Sequence, residues 1–271
     1  MGFWLTFEKV QCWVIVFLTP TVFLVEMAVV RPDIVARYSM GSFKHALHIV
    51  LSTFSFVNVA GNMIMVIFTD TSVKRGNTQG IYCEVCKLKR PPDAWHCKTC
   101  DICIERRDHH CFFLHRCIGR QNHRYYILYL FHMAVSMLYS GYYNYLYLSA
   151  MFDNYGFLLA ICRMLNPMVR MFVKHDCLGL QDTYTIFFLA NVGLFVWSAA
   201  LCHYHLRNVI RGLTWHESMK KKFFYKGSRL ADEYWKENLI SVFGTRWYWA
   251  IIWPFAKSPL QGNFKSSLKI A

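Results

Sequence analysis

Charge is scarce in this sequence. Only 17% of its 271 residues are Asp, Glu, Lys or Arg, against roughly a quarter in soluble globular proteins, while 55% are hydrophobic and 17% aromatic. That shortage argues against an ordinary soluble domain and for a chain embedded in a membrane. Acid is scarcer than base: 16 Asp and Glu face 30 Lys and Arg, a formal net charge of +14. Such a balance suits nucleic acid or an anionic surface, and the distribution of the charges decides between them. Eleven basic residues lie in 70–124 and twelve in 207–271, against three in 31–44, three in 152–182 and one before residue 10. Segregation of this kind is a membrane-topology signal, and no nucleic-acid partner is expected. Internal repeats, low-complexity tracts and Asn-x-Ser/Thr acceptors are also lacking. No small-residue cleavage site follows a basic start, so the first apolar run reads as retained. The tail "KSSLKIA" is neither a Lys-Asp-Glu-Leu nor a di-lysine retrieval signal.

Apolar runs near the roughly 20 residues that cross a bilayer occur at Val10–Val30, Phe43–Phe68, Tyr125–Met151 and Thr183–Leu206. The expected fold is an all-α polytopic membrane protein with four transmembrane helices. Basic loops prefer the cytosol, which places both termini and the 70–124 segment there. The expected organisation is helices 1 and 2 in 1–70, a cytosolic cysteine-rich domain in 71–124, helices 3 and 4 with a lumenal loop in 125–206, and a cytosolic region in 207–271. Tyrosines at 125, 126 and 129 and at 139, 142, 143, 145 and 147 are spaced like two interfacial belts. Residues 152–182 are too polar for a span. The nine residues Trp247 to Phe255 are too short for one and suit the headgroup level. Glu26 inside the first run reads as an acid reaching the interface, and His48, Asn58 and Asn62 as helix-packing hydrogen-bonders. "MGFWLT" fits the loose myristoylation pattern, from which a four-span protein gains little.

Seven of the eleven cysteines fall between 83 and 117. Cytosolic thiols stay reduced, which makes disulfides a poor explanation and metal a better one. The C-x2-C spacings at 83/86, 97/100 and 100/103, with His96, His109, His110 and His115 nearby, are the makings of tetrahedral zinc sites. Two closed sites need eight ligands, and six cysteines with two histidines supply them. One cysteine is left over. Cys111 is the natural surplus, because it lies outside the C-x2-C ladder and beside a histidine pair that an aspartate precedes. A free thiol among His, Asp and basic residues is expected to be a nucleophile of depressed pKa, with a histidine as base and a carboxylate orienting it. Adjacent histidines on an irregular backbone can face different ways, one to metal and one to the thiol. Which of His109 and His110 does which stays open at this level.

Residues 83–126 read C-x2-C-x9-H-C-x2-C-x2-C-x4-D-H-H-C-x5-C-x4-N-x3-Y. This resembles the cysteine-rich domain of the DHHC protein S-acyltransferases, or palmitoyltransferases, and four spans with this loop between the second and third resemble that family too. The resemblance implies two structural zinc ions, one held by Cys83, Cys86, His96 and Cys103, the other by Cys97, Cys100, His110 and Cys117. It implies a catalytic set of Asp108, His109 and Cys111. A fatty acyl-CoA, palmitoyl-CoA by family habit, would acylate Cys111, and cysteine thiols of substrate proteins at the cytosolic membrane face would then take the acyl group. Basic residues such as Arg90, Arg120 and Arg124 are candidates for the CoA phosphates, and an endomembrane location, ER or Golgi, is implied.

"TWHE" (Thr214 to Glu217) resembles the family's TTxE element and "NLISVFG" (Asn238 to Gly244) its C-terminal motif, both expected under the catalytic loop. The chain departs from the pattern at Phe112-Phe113, where Pro-Trp is usual, at His115-Arg116 in place of Asn-Asn, at Trp215 in place of the second threonine, and at Tyr126 in place of Phe. These departures keep a second class in view, a zinc-stabilised membrane scaffold or adaptor with little transferase activity.

Overall fold

A computed structural model describes residues 2–74, 76, 80–151, 161–162, 180–221 and 234–263. Most of the expected 152–182 loop and the tail after 263 lie outside the described residues. The chain is mostly helical. Helix α1 (Gly2–Val25) runs through one π-helical turn (Glu26–Val30) into α2 (Arg31–Arg37), and α3 covers Ser42–Phe68. After the cysteine-rich segment come α4 (His123–Met151), α5 (Leu180–Ile210) and three short helices, α6 (Trp215–Lys221), α7 (Trp235–Phe243) and α8 (Trp247–Ile252). Among the described residues, three helices are long and apolar enough to cross a membrane: Thr6–Arg37, Ser42–Phe68 and Thr183–Ile210. The chain is a membrane protein. Helix α4 has the length, at 29 residues, but its eight tyrosines dilute its hydropathy and it falls outside that group.

The all-helical expectation is corrected between residues 81 and 118. Six strands of three residues form three separate antiparallel hairpins: β1 (Ile81–Cys83) with β2 (Leu88–Arg90), β3 (Trp95–Cys97) with β4 (Ile102–Ile104), and β5 (His109–Cys111) with β6 (Arg116–Ile118). Each has a four-residue turn ending on a residue in the left-handed region, Lys87 (φ 51°), Asp101 (φ 55°) and His115 (φ 46°).

The chain divides into two compact units. The first comprises Met1–Leu18, Val57–Leu130 and Leu201–Ala271. Its apolar core joins Ile127 and Leu128 of α4, Val209 of α5, Val242 and Phe243 of α7 and Ala250 of α8. Two polar side chains tie the hairpins to this core. Arg106, 1% exposed, donates from both terminal nitrogens to Ser241 of α7 at 3.2–3.3 Å. Asn122 donates to the carbonyls of Cys117 (2.9 Å) and Val66 (3.3 Å) and accepts from the Gly119 N–H (2.8 Å). Hydrogen bonds made by a buried charge are worth about 1.5–3 kcal/mol each, so Arg106 is a principal fastener of the hairpins.

The second unit comprises Thr19–Phe56 and Phe131–Ala200. Val30, Ile34 and Tyr147 are its buried apolar centre. Glu26 accepts from Ser140 Oγ (2.6 Å) and from Asn144 Nδ2. Asn191 donates to the same Ser140 at 2.9 Å. An acid among apolar helices is tolerable only with such donors. His48 behaves as a helix-packing group, 2.8 Å from Tyr139 Oη, whereas Asn62, in the first unit, turns to its own helix and donates to the Asn58 carbonyl.

The aromatic segment 247–255 carries six exposed large side chains on one short stretch (Trp247, Tyr248, Trp249, Ile252, Trp253 and Phe255), with Ala250 and Pro254 turned inward. Pro254 lies on α3, where a Cβ added at Gly61 would stand 2.5 Å from Pro254 Cγ. A rigid proline ring cannot yield as a flexible side chain can. Gly61→Val is therefore expected to lift this segment off α3, read as at least tenfold faster limited proteolysis between residues 244 and 263. An unchanged cleavage rate contradicts the contact.

Candidate active site and metal centres

In a strand, successive side chains point to opposite faces, and cross-strand partners share a face. The three hairpins use this rule repeatedly. His96 pairs with Cys103 across β3-β4, and His110 with Cys117 across β5-β6. Each pair completes a group begun by the turn of the preceding hairpin. Cys83 and Cys86 meet His96 and Cys103, while Cys97 and Cys100 meet His110 and Cys117, with all four ligand atoms of each group within 4.8 Å of one another. The adjacent residues His96 and Cys97 thus serve different groups.

The spacing of the donors tests whether zinc fits. Bonds of about 2.3 Å to sulfur and 2.0 Å to nitrogen give a tetrahedron with edges of roughly 3.5–3.8 Å. In the second group His110 Nδ1 lies 3.7, 3.3 and 3.6 Å from the sulfurs of Cys97, Cys100 and Cys117, and Cys100 Sγ lies 3.6 Å from Cys117 Sγ. In the first group Cys86 Sγ is 3.2 Å from His96 Nδ1. Both groups are compatible with zinc. Histidine ligands usually pass their second ring N–H to a carboxylate, which fixes their tautomer. His110 Nε2 meets Glu8 Oε2 of α1 at 3.0 Å, and His96 Nε2 lies 3.6 Å from Asp101. Glu8 also meets His115 Nδ1 at 2.9 Å, so His115, which stands where an asparagine was expected, joins the surroundings of the second candidate group.

The third hairpin has the same form with one substitution. Its turn runs Cys111-Phe112-Phe113-Leu114 before the left-handed His115, just as Cys97-Lys98-Thr99-Cys100 runs before the left-handed Asp101. Leu114, 2% exposed, stands where the second cysteine of a metal-binding turn would be. Cys111 is therefore the first half of a turn whose second half is hydrocarbon, and it belongs to neither ligand group.

His109 and Cys111 lie two residues apart on β5, hence on one face, with His110 on the other. The division of labour between the two histidines follows from a regular strand; the irregular backbone expected for this segment is corrected. His109 Nδ1 donates to Asp108 Oδ2 at 2.7 Å, leaving Nε2 as the acceptor. Asp108, 1% exposed, is held from several sides: the Trp215 N–H donates to Oδ1 at 2.7 Å, His205 Nδ1 lies 3.4 Å from Oδ2 and His123 Nε2 3.9 Å from Oδ1. Burial pushes its carboxyl upward, but its electrostatic interaction with His123 and the bonds from His109 and His205 outweigh that and hold it well below the usual range. Burial also lowers His109 below the ordinary imidazole value, which Asp108 only partly offsets.

The expected depressed pKa of Cys111 is not what this environment produces. At 5% exposure the thiol is pushed up to about 11, chiefly by burial, against which the backbone N–H groups of Leu114 and Phe113 work. Burial thus favours the uncharged form of both groups, and the thiol needs a base to react.

Thr214 to Glu217 is a capping box. Thr214 N–H and Oγ donate to Glu217 Oε2 at 2.9 and 3.0 Å, and the Glu217 N–H returns to Thr214 Oγ1 at 3.3 Å. The box starts α6 so that the Trp215 N–H meets Asp108. The Trp215 ring stacks on His205 at 5.4 Å and faces His109 at 5.7 Å. Asn238 donates to the Ile210 carbonyl at 3.2 Å, and Ser241 receives Arg106, which places both C-terminal motifs against the hairpins' supports. The three arginines considered for CoA are not gathered together. Arg90 bonds to the Ala94 carbonyl and lies over Trp95 at 5.2 Å, whereas Arg120 and Arg124 both turn to the segment 256–263.

Residues 76–222 match the family model described as DHHC palmitoyltransferase. The chain belongs to this family. It is 28% identical over 231 residues to the probable palmitoyltransferase ZDHHC24 of mouse, a match covering 83% of this chain and 79% of that protein. The rat protein of the same name is 30% identical over 225 residues, with 80% and 77% covered.

Four supports of this DHHC site were not singled out from sequence. Glu8 and Arg106 lie 100 and 2 residues before the Asp-His-His-Cys run, His123 and His205 lie 12 and 94 residues after it, and no spacing rule connects them to it. His205 carries the best local signal, an imidazole near the end of an apolar run. The metal arithmetic has a direct check by elemental analysis. Cys111→Ala is expected to keep two zinc ions per chain, and Cys100→Ala to lose one and to melt at lower temperature. A fall to one zinc in Cys111→Ala means that ligand and free thiol have been exchanged.

Proposed function

We propose that this chain is a protein S-acyltransferase that carries a fatty acyl group, palmitoyl by family habit, on Cys111 and passes it to cysteine thiols of substrate proteins. The observation that carries the reading is the incomplete third metal turn, which leaves one thiol unligated on the strand face of an imidazole already bonded to a buried carboxylate. In this reading two zinc ions are held by Cys83, Cys86, His96 and Cys103 and by Cys97, Cys100, His110 and Cys117, and they supply folding free energy and rigidity. The reaction runs through the chain's own groups.

His109 Nε2 takes the Cys111 proton, and the sulfur attacks the thioester carbonyl carbon of acyl-CoA. The carbon–sulfur bond to CoA breaks, and the proton on His109 passes to the departing CoA thiolate. An incoming substrate thiol then gives its proton to His109 and attacks the acyl-Cys111 carbonyl, and the proton returns to the Cys111 thiolate as that bond breaks. Asp108 fixes the His109 tautomer and stabilises the imidazolium formed in each half.

The reading includes a topology. Helix α4 crosses the membrane as a fourth span, its tyrosines at the two interfaces, and the basic segments and both termini face the cytosol of an endomembrane. Residues 71–124 then form a cytosolic domain, 1–70 and 125–206 supply the helix pairs, and 207–271 the cytosolic support. The CoA phosphates meet basic side chains at the cytosolic face, with Arg90 the foremost candidate because its hairpin borders the metal sites.

Incubation with a labelled fatty acyl-CoA is expected to leave a hydroxylamine-sensitive label that Cys111→Ser abolishes while two zinc ions remain. A folded, zinc-loaded chain that never labels is a scaffold and ends this reading. Trp215 gives a sharper test of how Asp108 is held. Proline suits the first position of a helix but has no N–H. Trp215→Pro is therefore expected to slow acylation by about 10- to 100-fold, the worth of a hydrogen bond to a charged group. Trp215→Thr, which retains the N–H, is expected to lose much less. Equal losses in both variants would place the effect in the indole ring.

A further inference from the structure

Where the end of α3, the start of α4 and the segment 256–263 meet, the first unit contains a polar cleft of about 440 Å³, bordered by Thr69, Arg120, Gln121, Arg124, Tyr125 and Ser258 among others. Arg124 is 7% exposed, yet every partner it has is neutral. Its terminal nitrogens donate to the carbonyls of Ser258 (2.9 Å) and Ala256 (3.1 Å) and to Tyr125 Oη, and its guanidinium lies 4.4 Å over the Tyr125 ring. Its Nε has no partner at all. Among the described residues no carboxylate pairs with it. Burying a cation without a counter-charge is costly, and three neutral acceptors do not cancel the charge. Arg120 adds a second cation, bonded to the Gly262 carbonyl and Asn263, with Glu105 only at 3.6 Å. The 29-residue helix α4 begins here, and its amino-terminal end adds partial positive charge.

The surroundings say where an anion would come from. The cleft lies at the end of the candidate span α3, whose last residue Phe68 is 74% exposed, and against residues 258–260, which follow the exposed rings of Trp253 and Phe255 on the segment that Pro254 seats on Gly61. Helix ends flanked by exposed aromatic rings belong at the headgroup level, and basic pockets between spans at that level bind lipid phosphate. We infer that this cleft binds the phosphate of an anionic phospholipid headgroup, a phosphomonoester in particular, clamped between Arg124 and Arg120. The site is independent of the transferase reading, since neither zinc nor Cys111 takes part. It gives the C-terminal segment a second tie: the lipid phosphate and the 256–263 carbonyls share the same two guanidinium groups.

The test uses the full chain in detergent with four water-soluble probes: dioctanoyl phosphatidic acid, dioctanoyl phosphatidylcholine, inorganic phosphate and CoA. Binding is read by native mass spectrometry and thermal shift. Phosphatidic acid is expected to half-saturate at a concentration at least tenfold below the other three. Gln121, exposed at the cleft's edge, permits a charge-reversal pair. Gln121→Glu is expected to weaken phosphatidic acid binding about tenfold and Gln121→Lys to tighten it, both with the zinc content of the parent. Opposite signs at one position cannot come from general damage. Equal binding of the two lipids, or indifference to the charge at 121, overturns the inference. Equal binding of inorganic phosphate reduces the cleft to a free-anion site, and displacement of the lipid by equimolar CoA gives it to the acyl donor; either outcome also overturns it.

Discussion

The alternation of side chains along a three-residue strand is the constraint on which the rest of this molecule depends. Because neighbours face opposite ways, His96 and Cys97 can serve two ligand groups, and His109 and His110 can serve a carboxylate and a ligand group, with no distortion of the chain. The first hairpin opens a ligand group, the second closes it with His96 and Cys103 and opens another, and the third closes that one with His110 and Cys117. Such a relay has an end. The third turn opens a group that no fourth hairpin closes, because helix α4 begins five residues after β6. The unligated thiol is thus a consequence of where the series stops, and Leu114 in place of a cysteine seals it.

Energetics explain why metal suits these hairpins. Two-stranded hairpins with three residues per strand are not independently stable, since a net hydrogen bond contributes only about 1 kcal/mol and a few such bonds cannot offset the ordering of some 38 residues. Structural zinc in small modules contributes on the order of 10–16 kcal/mol, enough to reverse that balance. Within the segment Cys97, Ile104 and Cys117 form an apolar cluster with Cys100 against it, so candidate ligands double as packing. Arg106 and Asn122 then fasten the segment to the helices through buried polar contacts.

Counting pointed to two four-residue groups and a surplus thiol, since the four-fold coordination of zinc and the C-x2-C spacing leave few solutions, and the groups that assemble are compatible with it; composition made the long helices legible. Strand formation was not, because windows such as "WHC" and "HHC" are too short to carry a period. The split between His109 and His110 depended on that hidden regularity. Glu8 and His205 approach the site from helices α1 and α5, across 102 and 97 residues of chain, and such pairings come only from tertiary packing. The direction of the Cys111 shift was misjudged for a related reason. Neighbouring histidines and basic residues suggested a stabilised thiolate, but the fold buries the sulfur to 5% exposure, and desolvation outweighs the two backbone N–H groups aimed at it.

The departures from the family pattern sort by which atoms they touch. At Trp215 the contact with Asp108 is made by the backbone, so the side chain is free to change so long as Thr214 and Glu217 keep the helix start in place. The larger ring then finds work of its own, stacked on His205 and facing His109, where it helps exclude water from a buried carboxylate and three imidazoles. At His115 the substitution falls on the left-handed residue that closes the third turn, and the imidazole reaches Glu8 beside His110. Phe112 follows the same logic: its ring lies 5.9 Å from Phe7, one residue before Glu8 on α1. Phe112 and His115 of the third hairpin therefore both meet α1, at Phe7 and Glu8. A hairpin lacking the usual proline is instead braced by the amino-terminal helix.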